Sequence, residues 1–383
     1  MLDNSKIFDS PFELLDAIKN HAINSRFPIE NDGLGTLLPS NNSFECVRMD
    51  DNSVVLVPPL ITSPFLFRGE GEAFTASKPS LFRHDYSDSE VLLERLKLCE
   101  FELLLRNHPV VKLFKQINGW DMRISVLGLA QHYGIKTELM DFSSDPNVAM
   151  FFATCRYSAE TDSYIPASKG THEGILWLAQ CLFMSDPYGK NFFDDNISII
   201  GGQPFARPVA QRGFALRLSK NKSLQETGGC YPYRFKYTAE DSQVFWERFK
   251  NGSSLWIKDQ ITQKACHIAS RQVFCTRSFR LLRSRYKKST RYSSLIEGKL
   301  KESNVTISDD ETNISYSKQE TERLLSEWGS IKIVWRRSLP PRNVGEPAYI
   351  GLFKPLTPKV RLEEIVPISF FHYQALMRTI QNP

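Results

Sequence analysis

The segment from Leu127 to Ala153 (LGLAQHYGIKTELMDFSSDPNVAMFFA) limits most strongly how this chain can fold. Apolar residues at helical spacing predict a helix over Asp121–Tyr133, and Gly134 is well placed to end it because the residue after a helix often needs a positive φ. Thr137–Phe142 is short and partly apolar, which is typical of a strand. Asp145-Pro146 matches an N-cap followed by proline at the first helical position. The segment is therefore predicted to form a helix, a strand and a second helix.

Several polar side chains fall at the ends of these predicted elements: Gln131, His132, Tyr133, Thr137 and Asp141. Functional residues are often found where packed elements end and loops begin. Three of them also have a structural explanation. His132 could be a hydrogen-bonded core histidine, and Tyr133 could pack in the core instead of stacking on a ligand. Asp141 could cap the turn before Asp145.

Length, cysteine usage and charge limit the class of protein. A chain of 383 residues suggests two or three domains, or one large domain with additions. Its 7 cysteines are scattered without a C-x-x-C pair, which indicates neither a disulfide framework nor a zinc ribbon and favours a cytoplasmic location. No apolar run of about 18 residues predicts a transmembrane helix, and the acidic N-terminus is unlike a secretory signal. The net charge of +5 permits contact with nucleic acid without implying it.

Other common chemical motifs are missing from the sequence. His, Cys and Asp residues show no metal-ligand spacing, so no metal is predicted. There is also no P-loop and no G-x-G-x-x-G motif. The chemistry must therefore be sought in the polar residues of the central segment and its neighbours.

The flanking segments carry local structural signals. Ser87 with Glu90 and Ser317 with Glu320 form capping boxes, which predict helices that run to about Arg106 and to Trp328. Strands are predicted at Ser53–Val57, Phe65–Arg68 and Gly174–Ala179.

The remaining segments are predicted from composition. Phe27–Asn52 is loop-like, and Gln263–Tyr286 is largely helical. Lys287–Lys318 is polar and is the best candidate for a mobile loop or domain boundary. Three later segments have strand character and precede a short C-terminal helix: IKIVW (331–335), AYIGLF (348–353) and EEIVPIS (363–369).

Three groups of residues, in this order along the chain, resemble the FRG domain, which takes its name from a Phe-Arg-Gly signature. They are Phe67-Arg68-Gly69, then Ala130-Gln131-His132-Tyr133-Gly134 with Asp141, Pro146 and Ala149, and then Arg207 with Gln211-x-Gly213-x-Ala215. The resemblance spans roughly Ser53 to Ala265, and the middle group is the specific one. It implies an α+β protein similar in fold to ADP-ribosyltransferases, with a split, mainly antiparallel sheet flanked by helices.

This resemblance suggests a division of the chain into three parts. Residues 1–52 would be an N-terminal helix and loop, and residues 53–265 the FRG domain. Residues 266–383 would add a basic helical segment, a polar linker and C-terminal strands.

The resemblance also implies a function. FRG-like chains occur in bacterial toxin and phage-defence systems, so we expect an intracellular toxin or anti-phage effector that transfers ADP-ribose from NAD to a nucleic acid, possibly RNA, or to a protein. A neutralising antitoxin is a possible partner, and no membrane is expected. However, Glu138 and Phe142 stand where FRG domains usually carry Arg and Trp, and Gln211-Arg212-Gly213 lacks the late-strand Glu usual in transferases. Two alternatives therefore stay open: a non-catalytic FRG module that binds a nucleotide or partner, and an NAD glycohydrolase.

Residues from the FRG-like groups form the predicted NAD-binding set. Arg68 suits the pyrophosphate because a guanidinium binds phosphate oxygens in a fixed fork, and Gly69 would let the ligand approach the backbone. Tyr133 is predicted to contact the nicotinamide, and Gln131 and Thr137 complete the set. The structural alternative is that Arg68 only pairs with Asp141 or Glu70.

The predicted catalytic set is Asp141, His132 and Gln211. Asp141 is the best remaining carboxylate to contact the ribose hydroxyls or to act as a base, a role analogous to that of carboxylates in glycoside cleavage. His132 could also bond the nicotinamide amide. Gln211 could hydrogen-bond the ribose but could not act as a base.

A basic run near position 285 is a separate candidate site. Arg280, Arg283, Lys287 and Arg291 have the spacing of one helix face, with aromatic residues interleaved in the run. Such a stripe could contact a phosphate backbone while the aromatic rings stack on bases. The alternative is a solvated helix face.

Overall fold

The computed structural model describes residues 4–24, 45–48, 52–58, 65–116, 119–180, 197–286, 290–335 and 342–343. The helices are α1 (Pro11–Asn24), α2 (Asp88–Asn107), α3 (Pro109–Phe114), α4 (Val126–His132), α5 (Pro146–Thr154), α6 (Ala206–Ala210), α7 (Ala239–Arg248), α8 (Thr262–Ser270), α9 (Thr276–Arg285), α10 (Thr290–Glu302) and α11 (Lys318–Trp335). The strands are β1 (Ile7–Phe8), β2 (Glu45–Arg48), β3 (Val54–Val57), β4 (Phe65–Glu70), β5 (Leu139–Ser143), β6 (Arg156–Ser158), β7 (Ser163–Ile165), β8 (Thr171–Gln180), β9 (Ile197–Ile199), β10 (Gly213–Arg217), β11 (Cys230–Thr238), β12 (Val273–Cys275), β13 (Thr306–Ser308) and β14 (Arg342–Asn343).

The main sheet has seven strands in the order β1-β11-β8-β4-β5-β10-β9. Each neighbouring pair is antiparallel except β1 and β11, which are parallel. Side chains alternate between two cores along β8, where Trp177 faces one hydrophobic cluster while Leu176 and Leu178 face another. Helices α5 and α7 contribute to the second cluster. The chain is thus an α+β protein with a mainly antiparallel sheet flanked by helices, as predicted.

The sheet separates between β4 and β5. These two strands are joined by one residue pair, Phe67 with Ser143. Beyond it β4 stays paired with β8 through Glu70, and β5 stays paired with β10 through Leu139. The strands therefore diverge on the side where Arg68 and Asp141 lie, and this divergence positions the candidate site.

The central segment folds largely as predicted, except at its start. The first helix begins at Val126 rather than Asp121. The reason is that residues 121–123 bond to the β3 strand: Val54 N donates to Asp121 O at 2.8 Å, and Arg123 N donates to Val54 O at 2.8 Å. Gly134 has φ of +84°, as expected after a helix.

The turn into the second helix also agrees with the sequence. The Asp145 side chain accepts from Asn147 N at 2.9 Å, and Pro146 opens α5. The N-cap assignment is thus confirmed. In the turn before Asp145, which the structural alternative assigned to Asp141, it is Ser143 Oγ that accepts from Asp145 N, at 3.0 Å.

Elsewhere two sequence predictions are wrong and a third is correct except for a break in its helix. Strand β2 lies within the predicted loop 27–52, because its residues pair with β3 from Glu45 opposite Val57. Segment 263–286 is largely helical, as predicted, but it forms two helices, because Val273–Cys275 leaves the helical path to pair in parallel with β13. The polar segment 287–318 contains α10, whose Ile296 and Leu300 pack against α2, so much of it is ordered.

The capping boxes hold, but one strand prediction does not. Ser87 with Glu90 opens α2, and Ser317 with Glu320 opens the last long helix. Residues 331–335, predicted as a strand, continue that helix, α11. The segments at 348–353 and 363–369 and the C-terminal helix lie outside the described residues.

The predicted boundaries at 52/53 and 265/266 stay predictions. The structure shows that β1 pairs with β11 at the edge of the main sheet. It also shows that α9 and α10 pack on α2. Segments from both predicted flanking parts therefore contact the central part.

Candidate functional site

A cavity of about 320 Å³ opens beside the divergence of β4 and β5. Six of the predicted site residues line it: Arg68, Gly69, Gln131, His132, Asp141 and Gln211. They come from β4, α4, β5 and the turn before β10, so segments distant in sequence meet here. The volume is near the lower end of the range for small-molecule sites, about 300–1,000 Å³.

Arg68 spans the gap between the two strands. Its Nη1 donates to the backbone carbonyl of Asp141 at 3.1 Å, and its Nε donates to Glu70 Oε1 at 3.0 Å. The side chain keeps 16% of its surface exposed. The ion pair with Glu70 expected from the structural alternative is therefore present, yet the guanidinium has five N–H groups and still reaches the cavity.

The carboxylate of Glu70 is fixed by more than Arg68. Ser77 Oγ and Trp177 Nε1 donate to its Oε2 at 2.7 and 2.9 Å. A buried carboxylate with this many donors is well compensated. Glu70 thus orients Arg68 rather than competing for a ligand.

Gly69 is required by helix packing. A Cβ on this residue would lie 1.9 Å from Ala149 O and 2.8 Å from the Ala153 Cβ, both in α5. No side chain larger than hydrogen fits there without moving the helix. The sequence predicted that a ligand would approach the backbone of Gly69 closely. A close approach is present, but the group that approaches is helix α5.

Asp141 carries an unsatisfied oxygen. Its Oδ1 is buried and has no hydrogen-bond partner among the described residues. Buried polar atoms are nearly always paired, and an exception in a cavity wall is consistent with a ligand contact. The described residues therefore leave the hydrogen-bonding capacity of this oxygen unused.

His132 is buried at the C-terminal end of α4. Burial lowers the pKa of its imidazole, so the ring is neutral near pH 7. Its Nε2 has no hydrogen-bond partner among the described residues. Gly213 makes room for the ring, since a Cβ there would lie 3.1 Å from this nitrogen.

Two glutamine amides are held by hydrogen bonds. Gln131 Oε1 accepts from Thr137 Oγ1 at 2.6 Å and from Ser80 Oγ at 3.3 Å. Gln211 Nε2 donates to Leu255 O at 2.9 Å. Thr137 does not line the cavity; it is buried and orients Gln131, so its contact with a ligand would be indirect.

Tyr133 faces away from the cavity. It is buried among core side chains, and its hydroxyl donates to Asp259. The Arg207 guanidinium lies over its ring, 4.9 Å from the centroid. The structure thus places in the core the side chain that the sequence assigned to nicotinamide.

Arg207 is a structural residue of this core. Its Nη1 donates to His132 O at 2.8 Å and its Nε donates to Ile257 O at 2.9 Å. It also lies over the Trp256 ring, 4.1 Å from the centroid. These contacts fix the end of α4 and therefore the position of His132.

Among the lining residues that the sequence did not assign to the site are Arg83, Phe152, Tyr164 and Trp256. Burial and the nearby charge of Asp141 raise the pKa of Tyr164 to about 12, so its hydroxyl stays protonated. Tyr164 lies on β7 and Trp256 lies in a loop, and both are outside the signature groups in the sequence. Phe152 could have been found, because it adds to the apolar face of α5 next to the signature residue Ala149.

The basic run does not form one helix face. Helix α9 ends at Arg285, and a second helix, α10, begins at Thr290. Arg280 and Arg283 are exposed on α9, and Arg283 lies 3.9 Å from Glu297. Lys287 lies outside the described residues, as does the side chain of Arg291. The predicted continuous stripe is therefore interrupted by a helix end.

No helix among the described residues is both long and apolar enough to cross a membrane. In the same part of the chain, no group of three or more His, Cys, Asp or Glu side chains is arranged to hold a metal ion.

The fold and the site together define an α+β protein with a polar cavity at a separation in a mainly antiparallel sheet. In a comparison with protein families, the FRG domain model matches residues 63–162. The match includes the Phe-Arg-Gly signature and the segment from Gln131 to Asp141, whereas Arg207 and Gln211 lie beyond it. No curated protein and no solved structure matches the chain significantly.

Proposed function

We propose that this protein is an ADP-ribosyltransferase that uses NAD and modifies a macromolecule. The observation that carries the proposal is that Asp141 lines the same cavity as Arg68 and has a buried Oδ1 without a hydrogen-bond partner among the described residues. A carboxylate and a guanidinium in one cavity suit a substrate with a ribose that becomes cationic and a neighbouring phosphate. The FRG match over residues 63–162 supports the choice of this reaction class through the resemblance to transferases.

The residues would divide the chemistry as follows. Arg68 binds the phosphate side of NAD. Asp141 stabilises the positive charge that develops on the ribose as its bond to the nicotinamide nitrogen breaks, and the bonding electrons leave with neutral nicotinamide. The acceptor oxygen or nitrogen then bonds to the ribose carbon and passes its proton to Asp141. Neutral His132 and Gln131 offer hydrogen bonds to the nicotinamide amide.

One observation favours a second candidate, a module that binds a nucleotide or partner without turnover. Asp141 is the single carboxylate among the described residues that line the cavity, so no second carboxylate is at hand to act as an acid or base. A third candidate, NAD hydrolysis, uses the same residues with water as the acceptor.

Labelled NAD incubated with the purified protein and cell lysate separates these candidates. The transferase should label a macromolecule. A hydrolase should release nicotinamide without labelling, and a binding module should give neither product. Asp141→Asn should lower labelling at least about 100-fold, since general acid–base groups typically contribute that much or more. Asp16→Asn, on an exposed position of α1, is the matched control and should label like the wild type.

Two further experiments identify the acceptor class and test the biological role. Loss of the label on RNase, DNase or protease treatment would identify the acceptor class. We propose an intracellular toxin or anti-phage effector. Expression should therefore arrest growth, Asp141→Asn should relieve the arrest, and an antitoxin should suppress it. Growth arrest that persists with Asp141→Asn would contradict a catalytic toxin.

A further inference from the structure

The cavity contains a second arginine that none of the FRG-like residue groups includes. Arg83 lines the cavity together with Arg68. Arg83 is exposed, so it lies at the rim of the cavity. Its side chain makes no ion pair or hydrogen bond with another described residue, whereas Arg68 is bonded to Glu70 and to the Asp141 carbonyl.

The backbone before Arg83 is fixed. Residues Ser80–Phe82 form a 3-10 turn, and Arg83 follows directly. Leu81 N donates to Thr137 O at 3.1 Å, and Thr137 N donates to Ser80 Oγ at 3.1 Å. Leu81 itself is fully buried. The turn therefore holds Arg83 at the cavity, which reduces the entropy that a ligand must overcome to order it.

The two guanidinium groups are close enough to influence each other. Desolvation and the charge of Arg68 lower the pKa of Arg83, while Glu70 and Asp141 partly oppose this effect. An arginine nevertheless stays charged at neutral pH. Two positive charges at one cavity repel each other, and an anion placed between them would relieve that repulsion.

We propose that Arg68 and Arg83 together bind the pyrophosphate of a nucleoside diphosphate ligand, with Arg83 selecting charged ligands over uncharged nucleosides. Adjacent phosphates present oxygens to both planar guanidinium groups, a geometry that a single phosphate or a neutral nucleoside offers less well. This inference deepens the proposed function by assigning the pyrophosphate of NAD to a pair of arginines. Binding alone tests it, so turnover is not needed.

Calorimetric titration of the full chain with ADP-ribose, ADP, AMP and adenosine tests the proposal. Arg83→Gln should lower the affinity for ADP-ribose and for ADP roughly 10- to 100-fold, because it removes charge-assisted hydrogen bonds to the phosphates. It should lower the affinity for AMP less and leave the affinity for adenosine unchanged. Arg83→Lys should recover part of the affinity. Arg323→Gln, which removes an exposed guanidinium from α11 outside the cavity, is the matched control and should bind like the wild type.

The outcomes separate this inference from the proposed function. Selective weakening of the diphosphates supports the arginine pair even if NAD is never turned over. Equal affinities for the wild type and Arg83→Gln overturn it, and NAD-dependent labelling would then survive without it. Failure of the wild type to bind any diphosphate ligand also overturns it. A melting temperature for Arg83→Gln near that of the wild type verifies that the exposed substitution leaves the fold intact.

Discussion

His132 and Tyr133 are neighbours at the end of α4, yet they belong to two different regions of the molecule. The cavity region contains His132, Asp141 and Arg68, with a ring nitrogen and a carboxylate oxygen that lack hydrogen-bond partners among the described residues. The core region contains Tyr133 and Arg207, whose polar groups bond to Asp259 and to backbone carbonyls. The same short stretch of sequence thus supplies one side chain to a candidate site and the next to the core that supports it.

Arg207 and Arg68 show the same contrast between the core region and the cavity region. Arg207 is 2% exposed and lies between two aromatic rings with its donors on backbone carbonyls. Arg68 keeps more of its side chain exposed and opens on the cavity. An arginine within a signature group therefore has to be judged by its remaining donors and its surroundings, since the residue type does not distinguish ligand binding from support.

The largest expected effect is the loss of stability when Arg207, the arginine of the core region, is replaced. Arg207→Ala would leave the carbonyls of His132 and Ile257 unpaired and remove two cation–π contacts. We expect a loss of about 3–5 kcal/mol in the free energy of unfolding, measured in urea. Arg68→Ala should cost less, about 1–2 kcal/mol, because Glu70 keeps two other donors. Equal losses would remove the distinction between the two arginines.

The next effect comes from buried histidines. Burial lowers the pKa of His108 to about 3, and burial also lowers the pKa of His132. The unfolded chain binds protons at these residues below about pH 6.5, whereas in the folded protein His108 does so only near pH 3, and the pKa of His132 is also below its usual value. Stability is therefore highest above pH 6.5 and is lost on acidification. His108 alone should remove about 2 kcal/mol between pH 7 and pH 5.

Unfolding in urea at several pH values checks this effect. His108→Gln should flatten the profile by about the same 2 kcal/mol, whatever it does to stability at pH 7. The pH slope is the readout, because the substitution also disturbs the bond from Val110 N to the His108 ring. An unchanged slope would mean that His108 is already charged in the fold.

Two aspartates offer the same substitution in the two regions. Asp259→Asn removes a charged acceptor from the Tyr133 hydroxyl and from Thr262 Oγ1, so we expect a loss of about 1–2 kcal/mol in unfolding free energy. Asp141→Asn changes a carboxylate whose Oδ1 has no hydrogen-bond partner among the described residues, so stability should stay level or rise by up to about 1 kcal/mol. A large loss with Asp141→Asn would indicate that the carboxylate supports the fold.

The sequence predicted local structure well where the cause is local. Caps at Ser87, Asp145 and Ser317 and the positive φ of Gly134 depend on residues within a few positions. The failures have distant causes. Residues 121–123 are held by β3, and Val273–Cys275 by β13, pairings that local spacing does not reveal.

The candidate site was predictable to a similar degree. The signature groups supply Arg68, His132 and Asp141, which the fold brings to one cavity. They could not show that Tyr133 faces the core, because its direction depends on Asp259, far along the chain. Arg83 and Tyr164 also carry no local signal, since they are brought to the cavity by the turn that bonds to Thr137 and by the β6–β7 hairpin, respectively.

The smallest effect separates the two tyrosines. Tyr133→Phe removes the bond to Asp259 and should cost about 1 kcal/mol of unfolding free energy without changing the affinity for ADP-ribose. The Tyr164 hydroxyl makes no hydrogen bond with a described residue, so Tyr164→Phe should change stability by less than about 0.5 kcal/mol. Because Tyr164 lines the cavity, its substitution should alter ligand affinity. The reverse pattern, with Tyr133 controlling affinity and Tyr164 controlling stability, would mean that the two regions have been assigned the wrong way round.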